Sequence, residues 1–138
     1  MKYYFLGIGG IGMSSLAKYL FDLGYQVMGY DKTSSYITEK LVASGIQILF
    51  DDNVELIPSD FNKKNTQVIY TPAIPKDNPQ YNYFIGQGYS IKKRAVLLGE
   101  ITKDSIVFAI AGTHGKTTTA SFLSHLFKYA NLDFMAFL

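Results

Sequence analysis

Two glycine-rich segments could bind phosphate groups, because each lies between a predicted strand and a predicted helix. The first is the run Gly7-Ile-Gly-Gly-Ile-Gly12, which satisfies the pattern G-x-G-x-x-G. In this pattern the glycines allow a tight turn, let backbone N–H groups approach a diphosphate, and let helix and strand pack closely. The unpaired N–H groups and partial positive charge of the helix N-terminus favour an anion there. This segment therefore predicts a nucleotide-binding turn.

An acidic residue lies where such a turn requires one. Asp31 follows the predicted strand Gln26–Tyr30, a position from which a carboxylate commonly bonds a ribose hydroxyl. The pattern does not identify the ligand, because any nucleoside diphosphate could use the same donors. NAD and a UDP-sugar are equal candidates at this point, and the alternative is a tight turn whose glycines serve packing alone.

The second glycine-rich segment, Gly112–Thr118, predicts an ATP and Mg²⁺ site. Backbone N–H groups of such a loop wrap phosphate oxygens, the lysine reaches the terminal phosphates, and the hydroxyl after it holds Mg²⁺. A strict P-loop would place its first glycine at position 110, where this chain has Ile110; the alternative is a purely structural turn. Lys116 is the predicted catalytic residue and Thr117 the predicted metal ligand. The predicted ATP-binding residues are Gly112, Thr113, His114, Gly115, Lys116, Thr117 and Thr118.

Short apolar runs alternate with segments of helical spacing, which predicts an α/β fold with a parallel sheet flanked by helices. An almost continuously apolar run then predicts a buried strand before the second glycine segment. The predicted strands are Lys2–Ile8, Gln26–Tyr30, Ile46–Leu49, Gln67–Thr71, Ser90–Lys93 and Ser105–Ala111. The predicted helices begin near Gly12, Thr38, Asp51, Pro79, Ala95 and Lys116.

The composition narrows the class of protein. Hydrophobic residues make up 48% of the 138 residues and charged residues 17%, enough apolar surface for a packed core. A net charge of +2 argues against a nucleic-acid partner, and no apolar run reaches the roughly 18–20 residues of a membrane span. The absence of cysteine excludes disulfides and thiolate metal sites. The basic cluster Lys92–Arg94 is interpreted as a solvated turn rather than a phosphate contact.

Three stretches together resemble the Mur ligase family of cell-wall synthesis: Gly7–Ser14, Tyr70–Pro75 with Arg94–Glu100, and Gly112–Thr119. The resemblance covers essentially the whole chain, with Tyr4 a departure where the family more often has histidine. It implies a Rossmann-like UDP-sugar-binding domain over residues 1–103 and the truncated start of a central P-loop ATPase domain over residues 104–138. The implied UDP-binding residues are Gly9, Gly10, Ile11, Gly12, Met13, Asp31, Thr71 and Ala73.

The same resemblance implies a cytoplasmic, ATP-dependent ligase of peptidoglycan synthesis that joins L-alanine to UDP-N-acetylmuramate through an acyl phosphate. His114 is typical of this activity and of murein-peptide ligation, and the run Gly9–Met13 favours the former. We expect the remaining central and C-terminal domains to be missing and the fragment itself to be inactive. The rivals are an NAD-dependent oxidoreductase domain, which leaves the second segment unexplained, and a non-catalytic nucleotide-binding module.

Overall fold

The computed structural model describes residues 1–137. The chain divides into two compact units, Met1–Ile101 and Thr102–Leu138. The boundary between them lies within the helix that comes after the last strand of the first unit. Almost all regular tertiary structure belongs to the first unit, which contains both the sheet and every buried residue of residues 1–137.

The first unit is built on a five-stranded sheet in which every pairing is parallel. The strand order is β3-β2-β1-β4-β5, so β1 is central and its C-terminal end lies between those of β2 and β4. The predicted parallel sheet is therefore confirmed. The strands are β1 (Lys2–Leu6), β2 (Gln26–Tyr30), β3 (Gln47–Leu49), β4 (Thr66–Tyr70) and β5 (Ser90–Lys93).

Helices connect the strands, and their ends depend on local residue chemistry. The second helix is capped at its N-terminus by Ser35, whose hydroxyl accepts the Thr38 N–H in a capping box. The third helix has Pro79 in its first turn. No helix within residues 1–137 is long and apolar enough to cross a membrane. The helices are α1 (Ile11–Asp22), α2 (Tyr36–Ala43), α3 (Pro79–Gly86), α4 (Arg94–Thr102) and α5 (Lys116–Tyr129), with a 3₁₀ turn at Val54–Leu56.

An aromatic cluster on one side of the sheet forms much of the core. The rings of Tyr4 and Phe84, both fully buried, lie 4.8 Å apart, and Phe61 packs edge-on against Tyr4. The Tyr4 hydroxyl donates a hydrogen bond of 2.7 Å to Gln80 Oε1. Burial raises the pKa of Tyr4, so the hydroxyl stays neutral. Tyr4, the departure from the family pattern, is thus a satisfied core residue.

The second unit departs from the sequence-based expectation. The predicted strand Ser105–Ala111 is wrong, because residues 106–112 adopt no regular secondary structure. A strand requires a neighbouring strand to bond its N–H and C=O groups, and within residues 102–137 there is none. Ile106 is accordingly 90% exposed instead of buried. The predicted loop and helix are present, and α5 packs through Phe127 against Phe108 and Phe134.

Candidate functional site

The first glycine loop, residues 7–12, is held by the strands beside it. The N–H groups of Gly7 and Ile8 both donate to the carbonyl of Tyr30, at 2.8 and 3.0 Å. Gly7 has a φ of +81°, a conformation that glycine adopts without strain. The strand β1 therefore ends at Leu6, two residues before the predicted end at Ile8. The N–H bond and the backbone angle of Gly7 together turn the chain from β1 into α1.

Two of the loop N–H groups predicted to face a diphosphate are already bonded. The Gly9 N–H donates to Asp31 Oδ2 at 2.7 Å, and the Gly10 N–H donates to the Gly7 carbonyl at 3.2 Å. The first turn of α1 contains no acidic residue and no side-chain cap. Within residues 1–137 the N–H groups of Ile11, Gly12 and Met13 therefore have no acceptor. These three N–H groups are the ones in the loop that are free to donate to an anion.

Asp31 lies at the opposite end of the loop from those donors. Its own N–H bonds the carbonyl of Leu49, and its carboxylate accepts the N–H groups of Gly9 and, at 3.3 Å, Thr33. A Cβ on Gly9 would lie 2.8 Å from Asp31 Oδ2, so this contact requires glycine. Burial raises the pKa of the adjacent Tyr30, and nearby carboxylates, including Asp31, raise it further.

The turn after β4 covers the other side of the loop. Because β4 is parallel to β1 and pairs with it, the two strands end at the same edge of the sheet. Thr71 Cγ2 and Ile74 Cδ1 lie 3.2 and 3.3 Å from the position of a Cβ on Gly7. Ala73 is exposed in the same turn. The structure thus brings the predicted residues Gly9–Met13, Asp31 and Thr71 to one edge, and their ligand roles stay predictions.

Sequence reasoning missed Arg94 at this edge. Arg94 comes directly after β5, and its guanidinium packs on Gly12, since a Cβ there would lie 2.2 Å from Nη1. The interpretation of the basic cluster as a solvated turn is therefore wrong for Arg94, although Lys93 is exposed and Lys92 pairs with Glu100 at 2.7 Å. The parallel arrangement brings the end of β5 to the same edge, and arginine is long enough to reach past β4.

The second glycine loop, residues 112–115, is organised by its helix alone. Gly115 has a left-handed backbone, φ +76°, and is the N-cap of α5. Lys116 Nζ turns back to donate to the carbonyls of Gly112 and Thr113, at 2.8 and 3.4 Å. Within the described chain the N–H groups of Lys116, Thr117 and Thr118 have no acceptor. The arrangement suits an anion, but residues 111–119, which include His114, are all exposed.

The metal prediction can be tested against the available ligands. No group of three or more histidine, aspartate or glutamate side chains that could hold a metal ion occurs among residues 1–137. The predicted ligand Thr117 supplies one hydroxyl oxygen from the first turn of α5. Mg²⁺ is commonly held by few protein oxygens together with phosphates and water. The role of Thr117 as a metal ligand therefore stays a prediction, in which Mg²⁺ would arrive together with a nucleotide.

Known proteins resemble this chain over nearly its full length. A ligase named UDP-N-acetylmuramate–L-alanine ligase, from Flavobacterium johnsoniae, is 55% identical over 134 residues, which are 97% of this chain and 30% of that protein. The chain thus spans less than a third of the length of this curated relative.

Solved structures of ligases also resemble this chain. The UDP-N-acetylmuramate–alanine ligase of Thermotoga maritima matches with a TM-score of 0.86 at 33% identity, over 95% of this chain and 30% of that one. The UDP-N-acetylmuramate:L-alanyl-γ-D-glutamyl-meso-diaminopimelate ligase of Neisseria meningitides matches with a TM-score of 0.83 at 27% identity. The match covers 94% of this chain and 40% of that one.

The family profile described as "Mur ligase family, catalytic domain" matches residues 2–105. The matched region contains β1 to β5, the first glycine loop, Asp31 and Arg94. It covers most of the 138 residues and confirms the resemblance drawn from the motifs. The chain therefore belongs to the Mur ligase family.

Proposed function

We propose that this chain is the N-terminal portion of a cytoplasmic, ATP-dependent ligase that joins L-alanine to UDP-N-acetylmuramate in peptidoglycan synthesis. The observation that carries the proposal is the set of three acceptor-free N–H groups, Ile11 to Met13, at the central strand of the sheet. The name of the 55% identical relative supports this substrate. Residues 1–103 form the UDP-sugar domain in this proposal, and residues 104–138 begin the ATPase domain.

The first glycine loop would hold the UDP end of the sugar nucleotide. The diphosphate lies against Ile11, Gly12 and Met13, because their N–H groups are the ones without an acceptor. Gly9 and Gly10 shape the loop, and Asp31 lies on the uridine side, where its carboxylate can accept a hydroxyl. Thr71 and Ala73 line the same edge from the turn after β4.

The second glycine loop would hold ATP and Mg²⁺. ATP supplies the phosphoryl group that converts the muramoyl carboxylate into an acyl phosphate, from which the amine of L-alanine displaces phosphate. Lys116 would move from the Gly112 and Thr113 carbonyls to the phosphates, where its charge opposes the negative charge of the transferring group. Thr117 would provide a hydroxyl to the metal, and Gly112 to Thr118 the surrounding loop.

A murein-peptide substrate is the second candidate, because the Neisseria ligase has a closely similar fold. Both candidates use the UDP end in the same way, so they differ in the group that is joined to the muramoyl carboxylate. ADP release by the full-length protein, measured with UDP-N-acetylmuramate and either L-alanine or the free tripeptide, separates them. We expect turnover with L-alanine and none with the tripeptide, and the reverse result would favour the second candidate.

The test of the proposal as a whole is isothermal titration of this chain with UDP-N-acetylmuramate and with NADH. We expect binding of UDP-N-acetylmuramate, no heat from NADH, and no ligation of L-alanine by residues 1–138 alone. Binding of NADH without binding of the UDP-sugar would overturn the proposal in favour of an oxidoreductase domain. Ligation of L-alanine by residues 1–138 alone would overturn the proposal that this chain is only the N-terminal portion of the ligase.

A further inference from the structure

We infer that Arg94 is a diphosphate-binding residue. Its guanidinium and the N–H groups of Ile11, Gly12 and Met13 together bind the phosphates of a nucleoside-diphosphate sugar. The inference rests on the proposed function of the first glycine loop and adds a side chain to it. Arg94 begins α4, outside the loop that the motif defines. Its guanidinium is the cationic group that packs on the loop.

The contact between Arg94 and Gly12 is close. A Cβ at Gly12 would lie 2.2 Å from Arg94 Nη1 and 3.0 Å from Cζ. Real Cβ atoms do not approach other atoms to 2.2 Å, so any side chain at Gly12 displaces the guanidinium. Gly12 therefore does more than allow helix and strand to pack. It makes room for a cation beside the acceptor-free N–H groups of the first turn of α1.

The position is electrostatically unfavourable without an anion. A helix N-terminus carries roughly half a positive charge, and a guanidinium beside it adds repulsion. None of the ion pairs within residues 1–137 includes Arg94, and the first turn of α1 has no acidic residue. A diphosphate would relieve this repulsion, because its charge interacts favourably with both the guanidinium and the N–H groups.

The charges also orient the ligand. The Asp31 carboxylate occupies the Gly9 end of the loop, and Arg94 occupies the Gly12 end. Phosphates are repelled by the first and attracted by the second, so they lie toward Gly12, with neutral hydroxyls toward Asp31. Arginine suits this role because its planar, always charged fork can make two parallel hydrogen bonds to a phosphate, which lysine cannot.

The test compares Arg94→Gln and Arg94→Lys with the matched control Lys93→Gln, which removes one charge from the neighbouring exposed residue. NMR titration with UDP and with uridine measures affinity with and without phosphates. We expect Arg94→Gln to weaken UDP binding about tenfold or more, since a hydrogen bond to a charged group contributes at least that factor. Uridine affinity should stay within about twofold, Arg94→Lys should be intermediate, and Lys93→Gln should match the parent.

A second variant probes the contact itself. Gly12→Ala places a methyl group where the guanidinium stands, so it should weaken UDP binding about as much as Arg94→Gln. Adding Gly12→Ala to Arg94→Gln should then cost little more, because the two changes remove one interaction.

Three results would overturn the inference. The first is a UDP affinity of Arg94→Gln that equals that of the parent chain, and the second is an equal loss of UDP and uridine affinity, which would indicate a structural role. The third is additive losses of UDP affinity in the double variant. If the parent chain binds neither UDP nor UDP-N-acetylmuramate, the proposed function itself fails, which is a distinguishable outcome.

Discussion

Each of the two glycine loops leads into the N-terminus of a helix, and the two differ in the contacts that hold them. In the first loop, Gly7 and Ile8 bond the carbonyl of Tyr30 on the neighbouring strand, and Thr71 packs on Gly7. In the second loop, the preceding residues 106–112 form no strand, and the internal bonds come from Lys116 to two loop carbonyls. In the first loop, bonds to a neighbouring strand add to the backbone angle of Gly7 in fixing the positions of the N–H groups. Such preorganisation lowers the ordering cost of binding a ligand.

The largest expected effect contrasts the cores of the two units. Phe84→Ala should lower the free energy of unfolding by about 4 kcal/mol, because it removes a fully buried ring from the aromatic cluster. Phe122→Ala is the matched control, since Phe122 is 68% exposed, and should change it by about 0.5 kcal/mol or less. Urea denaturation followed by tyrosine fluorescence measures both. Equal losses would contradict the assignment of the stable core to the first unit.

A smaller effect contrasts two glycines with similar backbone angles. Gly7 has φ +81° and Gly115 has φ +76°, so alanine at either position costs about 1–2 kcal/mol of backbone strain. At Gly7 the new Cβ also meets Thr71 and Ile74, whereas at Gly115 nothing lies within 4 Å. Gly7→Ala should therefore lower global stability by about 2 kcal/mol, the strain of its left-handed backbone together with some crowding.

The matched variant, Gly115→Ala, should leave the global transition unchanged and speed amide hydrogen exchange only in the first turn of α5. Urea denaturation measures the global effect and hydrogen exchange the local one. If Gly115→Ala shifted the global transition as far as Gly7→Ala, the two loops would be equally integrated, and the comparison would fail.

The smallest effect concerns alkaline pH. Burial, with the neighbouring Tyr83, raises the pKa of Tyr89 to about 12, and the Tyr89 hydroxyl donates to the Phe61 carbonyl. Because the folded pKa exceeds the usual value near 10, this contribution to stability is complete below about pH 10 and is lost as pH rises through about 12. Tyr89→Phe should make the fall in urea midpoint between these pH values shallower. Tyr129→Phe, at an 85% exposed position, should leave it unchanged. An unaltered slope in Tyr89→Phe would contradict the assignment.

Sequence-based prediction succeeded where local pattern and tertiary structure agreed. The predicted bounds of β2 and β5 match those observed, and α5 begins at the predicted Lys116. The prediction failed at Ser105–Ala111, because an apolar run records a tendency to be buried and cannot supply the strand that buries it. It placed Asp31 correctly at the end of β2, since a motif with fixed spacing contains that information.

Arg94 is a residue whose position at the first glycine loop the sequence did not predict. It lies far along the chain from Gly12, and the charged cluster around it predicted only a solvated turn. The strand order brings the two together, because β4 and β5 run parallel to β1 and end at the same edge. No pairwise sequence pattern records this proximity, although the lack of an acidic residue in the first turn of α1 is a weak signal of an anion site.

Within residues 1–101 the amino-acid sequence alone determined the five strands and the glycine turn after the first strand, because propensity, hydrophobic periodicity and glycine spacing act over a few residues. The tertiary structure alone decided which N–H groups remain without an acceptor, since Asp31 and Gly7 bond two of the five predicted donors. It also decided that a distant arginine lies on Gly12. Hydrogen bonds and charge contacts depend on distances across the sheet, and those distances are set when the strands assemble in their order.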